Sequence, residues 1–170
     1  MKKHVALIVA TLTAVAVLDS HVDLVQHDDR MVVQVNGRLH DVQGWLAETG
    51  NRLTRRCDAI QTPQPADAQA LLEAVRAYSP PDSLDGRLVQ AWQLGPWAVA
   101  EVHFSRLKPT LVVLQQAPAW RVQPQAVWSG STAPWRVNDF VRRYLRQQAP
   151  ELPAPLLDCV EVEPLDFLAA

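Results

Sequence analysis

The chain has 170 residues, nearly half of them apolar and a fifth charged, enough for one hydrophobic core and unlike the composition of a disordered segment. Its formal charge of −2 argues against nucleic acid as a partner, because phosphate-backbone binding calls for a basic surface.

Met1, Lys2 and Lys3 make a short positive start, and residues 5–18 then carry no charge. Ala14-Val15-Ala16 supplies the small-x-small pattern that signal peptidases accept, and Asp19 closes the run. A membrane-crossing helix needs about 20 apolar residues, so no permanent span is expected once residues 1–16 are removed as a signal peptide. The alternative is an uncleaved anchor. Residues 17–170 are then expected as a single exported α+β domain, in the periplasm or secreted, with 14 basic against 18 acidic residues. Export also decides how the two cysteines read. Cys57 and Cys159 lie too far apart for a CxxC redox or metal motif, and in an oxidising compartment such a pair is a structural disulfide.

His21, Asp23 and His27, with Asp28 and Asp29, are residue types that hold zinc. Their spacing matches no helix or hairpin metal motif, so no metal or other cofactor is expected, and the stretch reads as a solvated start to the mature chain. Residues 31–35 alternate weakly as a strand and end at Asn36-Gly37, a turn signal. Asp41 is a candidate N-cap for a helix whose apolar face is Val42, Trp45, Leu46 and Thr49, with Gly50 as a stop. Asp67 caps a second predicted helix with the stripe Leu71, Leu72, Val75 and Tyr78, ended by Pro80-Pro81.

The centre of the chain reads as an antiparallel meander. Residues 87–94 and 97–104 flank Gly95-Pro96; residues 110–116 and 119–123 form a second pair, with Pro124 confining the last strand to an edge or a bulge. Ser131 or Thr132 is expected to cap a third helix with Pro134 in its first turn and the stripe Val137, Phe140, Val141, Tyr144 and Leu145. Residues 156–162 are predicted as a final strand. The expected fold is a four- or five-stranded antiparallel meander sheet with about three helices packed on one face.

Three sets of residues are chemical candidates. Glu101 and His103 lie two apart on one strand, so they leave the same face as Trp97 and could act as an acid–base pair; polar residues on the wet side of a sheet produce the same pattern. Neither Ser129 nor Ser131 sits in a nucleophile elbow to complete a hydrolytic site. Trp97 is either core packing or an exposed anchor for a partner. Arg136, Arg142, Arg143 and Arg146 are expected along the polar side of the third helix, where they form either a solvated face or a surface for an acidic protein. The sequence therefore points to an exported domain that binds a protein or small ligand. A small hydrolase using Glu101 and His103 and a structural envelope protein without an active site are the alternatives.

Overall fold

A computed structural model describes residues 21–28 and 30–163. The expected signal segment, residues 1–16, lies outside the described residues. The architecture is α+β, with two antiparallel sheets and four helices among the described residues. The first sheet is β1 (Val22–His27), β2 (Arg30–Val35) and β3 (Arg38–His40), followed by α1 (Val42–Thr54) and α2 (Pro65–Tyr78). The second is a meander in chain order: β4 (Arg87–Leu94), β5 (Trp97–His103), β6 (Thr110–Gln116) and β7 (Trp120–Ser129). Helices α3 (Val137–Gln148) and α4 (Ala154–Cys159) complete the described chain.

The first sheet revises the expectation of a loose start. β1 pairs with β2 at six positions, from Val22 opposite Val35 to His27 opposite Arg30. β-Branched valines at 22, 25, 32, 33 and 35 suit a pleated strand, and this content outweighs the interspersed polar residues. Asn36 and Gly37, at φ of 50° and 80°, make the two-residue connection to β3, a turn that needs positive φ at both central positions.

The meander has the four strands expected of it, but it is buried on both faces rather than one. Ala98, Ala100 and Val102 of β5 pack with Val112 and Leu114 of β6 against Leu71 and Val75 of α2. Trp97 and Val99 point the other way and join Leu111 and Val113 in a core closed by Val137, Val141 and Leu145 of α3 and Leu156 and Leu157 of α4. A central strand covered on both sides reads as a continuous apolar run, which is what residues 97–100 are. Fully buried leucines such as Leu71, Leu111, Leu145 and Leu156 each stabilise the fold by about 1.5–3 kcal/mol through burial. Pro124 sits where it was expected, in edge strand β7, inside a register shift between Val112 and Leu114 of the partner strand.

Residues 156–162, predicted as a strand, begin instead as the short helix α4. Pro153 and Pro155 fix the first turn, where a missing N–H costs nothing, and Leu156 and Leu157 both turn inward. The chain is extended only after Cys159, where Asn138 stands in for a neighbouring strand: its Oδ1 accepts from the Val162 N–H at 2.8 Å. Cys57 and Cys159 form a disulfide that ties the end of α1 to the end of α4 across 102 positions. Such a bond persists in non-reducing compartments. Among the described residues no helix is long and apolar enough to cross a membrane.

Candidate functional site

Helix α1 carries two stripes, and the fold buries the polar one. Asp41 and Glu48 are 5% and 3% exposed, and Gly44 between them is also buried. The stripe expected to face the core is in solvent, with Trp45 53% exposed and Leu46 58%; the helix runs past the expected stop at Gly50 to Thr54, and Leu53 there is 81% exposed.

The cause lies at the start of α3. The predicted caps Ser131 and Thr132 fall short of that helix, because Thr132 closes a turn with Trp135 and α3 begins only at Val137. Arg136 occupies the N-cap position without a side-chain cap of its own, so the first N–H groups of α3 need acceptors from elsewhere. Glu48 supplies them. Its Oε1 accepts from the backbone N–H of Asn138 at 2.9 Å and of Asp139 at 3.3 Å. Its Oε2 accepts from Nε and Nη2 of Arg136 at 3.0 and 2.8 Å. Asp41 caps its own helix through Gly44 N–H at 2.8 Å and also accepts from the Arg136 backbone N–H at 3.0 Å. A carboxylate at a helix N-terminus gains from the helix dipole as well as from its hydrogen bonds. Gly44 lets the two helices approach, because a Cβ there would lie 2.7 Å from Asp41 Cγ and 3.0 Å from Arg136 Cβ.

The first sheet is tied to the same joint. Arg30 Nη1 donates to Asp139 Oδ2 at 2.8 Å, lies 3.6 Å from Asp41 Oδ2, and its guanidinium stands over the Trp135 ring. His27 packs on Trp135 with ring centroids 5.6 Å apart. His21 and Asp23 are exposed, and no group of three or more metal-type side chains forms among the described residues.

Between α1 and the loop before α3 lies a cleft of about 410 Å³. Val42, Trp45, Pro134 and Trp135 give it apolar walls, and His40 and Arg136 add polar groups. The exposed α1 stripe runs out of this cleft.

The structure separates the arginines expected along one face. Arg136 lines the cleft and is held by Glu48. Arg142 is buried and donates to the Val160 carbonyl at 3.2 Å; burial pushes its guanidinium pKa down, with Glu48 and Asp139 working against that shift. Arg143 pairs with Asp139 at 3.0 Å, and Arg146 with Asp158 at 3.4 Å at the exposed end. These residues do not form one solvated row, since Arg142 is buried and Arg136 and Arg143 are held by the buried carboxylates Glu48 and Asp139. Trp97 is core, at 9% exposure.

Glu101 and His103 do leave β5 together, with His103 Nε2 2.8 Å from Glu101 Oε1. Glu101 is 1% exposed rather than solvated, and its other oxygen accepts from Gln90 Nε2 at 2.8 Å. It lines a second cavity of about 530 Å³, with Glu161, Glu163 and Arg52. Among the described residues that lining contains no serine, threonine or cysteine. Next to this cavity Arg52 and Arg55 both pair with Glu161. Burial works to raise the Glu161 pKa, and the two guanidiniums overcome it and hold the carboxyl below its usual range.

No family model, curated protein or solved structure matches the chain.

Proposed function

We propose that this chain is an exported, periplasmic binding protein, and that the outward stripe of α1 with its adjoining cleft is where a partner protein docks. The observation that carries this reading is the orientation of α1. A helix with Val42, Trp45, Leu46 and Leu53 in solvent and Asp41 and Glu48 buried is costly for an isolated molecule and useful for one that meets a partner. Tryptophan in a partly concave apolar setting is the residue type that most often anchors an interface. The Cys57–Cys159 disulfide supports export.

The test uses oxidised protein as bait against its own envelope fraction. The double variant Trp45→Ala with Leu46→Ala should unfold at nearly the wild-type urea concentration and fail to retain the partner. Equal retention by wild type and variant would remove α1 from the binding surface. The pair Arg142→Ala with Arg143→Ala makes a poor probe of binding, since it strips a buried joint and unsettles the fold itself.

A further inference from the structure

The charge around α1 allows a narrower statement about what docks there. We propose that the cleft takes an acidic, amphipathic segment of the partner, with an apolar side chain between Trp45 and Trp135 and a carboxylate on Arg136. This rests on the reading of α1 as the docking surface and adds the chemistry of the partner.

From Arg38 to Arg56 the chain has two carboxylates, Asp41 and Glu48. Both are buried and fully engaged in capping α1 and α3. The side chains that remain charged and exposed there are cationic, Arg38, Arg52 and Arg56, and they stand among Trp45, Leu46 and Leu53 and neutral groups such as Gln43 and Thr49. Arg52 is engaged with Glu161, whereas Arg38 and Arg56 form no ion pair among the described residues.

Arg136 is built to accept one more carboxylate. Its guanidinium lines the cleft and its side chain is 46% exposed. Glu48 occupies only the Nε–Nη2 edge, leaving Nη1 without a hydrogen bond among the described residues. The Nη1–Nη2 edge is the fork that pairs bidentately with a carboxylate, and Glu48 fixes its direction before any ligand arrives. His40 stands at the same cleft.

The length of the stripe argues for a segment rather than a small acid. Val42 to Leu53 covers about 16 Å of helix, beyond what a single ligand filling the cleft would touch. An amphipathic helix laid along a groove, anchored by apolar side chains at helical spacing, is a recurring way to cover such a surface.

The experiment titrates the oxidised protein with a capped peptide of about twelve residues bearing leucines at helical spacing with glutamates beside them, and with its glutamine twin. Binding is read from the indole NMR signals of Trp45 and Trp135, assigned with Trp45→Phe. The glutamate peptide should move both signals and bind about tenfold tighter than its twin. That gap should close at about 0.5 M salt, where charge is screened within a few ångströms, and should narrow in Arg136→Lys, which keeps the charge and loses the fork. If that variant loosens α3, the twin comparison and its salt dependence in the wild type still decide. Equal affinity of the twins, with Trp45 moved by both, overturns the charge inference and leaves α1 as the docking surface. Failure of both peptides to move Trp45 overturns both. Movement of Trp45 by phosphatidylglycerol vesicles but not by peptide assigns the surface to lipid and overturns the proposal. A concentration-dependent dimer that protects Trp45 does the same in favour of a second copy of the chain.

Discussion

The orientation of α1 can be tested with two glycines in the same helix. Ala is about 1 kcal/mol better than Gly in a helix interior, so on propensity alone Gly44→Ala and Gly50→Ala should both stabilise. The structure separates them. A Cβ at Gly50 meets nothing within 4 Å, and that substitution should add about 0.5–1 kcal/mol. A Cβ at Gly44 collides with the Asp41 carboxylate and comes within 3.0 Å of Arg136 Cβ. Asp41 cannot swing aside freely, because Gly44 N–H and Arg136 N–H both hold it in a buried site. Displacing it gives up an N-cap worth about 1 kcal/mol and leaves a buried carboxylate short of donors at about 1–3 kcal/mol. Set against the propensity gain, the net is a loss of about 2 kcal/mol, or about 4–8 °C in Tm for a chain of this size. Urea unfolding of the oxidised proteins at unchanged m-value is the assay. Gly44→Ala stabilising as much as Gly50→Ala would show that this face of α1 is not seated on α3, and the site built on that contact would fall with it.

Other consequences follow from the same contacts. Glu48→Ala removes the acceptor for Asn138 and Asp139 N–H and strands Arg136; it should destabilise by about 2–4 kcal/mol, with Glu48→Gln losing less, both read by urea unfolding. Trp45→Ala, in contrast, should change stability by no more than about 1 kcal/mol, because its side chain is largely in water. The Glu161 carboxyl, held below its usual 4.5, contributes stability that is complete above that value and lost as pH falls through its lower folded value. Arg52→Ala with Arg55→Ala should remove this part of the acid slope in a stability-versus-pH series. Reduction of Cys57–Cys159 opens a loop spanning 102 positions; the loss should be about 4–5 kcal/mol in the chain-entropy picture, measured as the shift in urea midpoint with and without reductant.

Much of the fold can be read from local pattern. Asn36-Gly37, the strands around Gly95, the confinement of Pro124 to an edge and the pairing of two distant cysteines all follow from residue-level chemistry, and each stands in the structure. Where the structure departs from local pattern, the cause is contact between distant elements. α1 has two stripes of helical period, Val42-Trp45-Leu46 and Asp41-Gly44-Glu48, and periodicity favours the apolar one. The polar one is buried because α3 starts without a cap of its own, and that need is met by Glu48, 90 positions from Asn138 and 91 from Asp139. Arg142 is buried for the same reason, since a polar residue on a helix looks solvated until a second element closes over it. The wet-face alternative for Glu101 does not hold because β5 is covered on both faces, which the alternation of alanines with larger residues only hints at. One signal was available: a glycine between two acids at helical spacing permits close approach to a helix terminus that needs acceptors.

The claim at the centre of this account is that the Leu46 face of α1 meets a partner. A photo-reactive residue placed at Leu46 in cells producing the protein tests it most directly, with the same residue at Leu84 as the control; Leu84 is equally exposed, at 57%, but lies outside α1. The account predicts a discrete higher-mass adduct from position 46 and none from position 84. No adduct from position 46, or the same adducts from both positions, would contradict it.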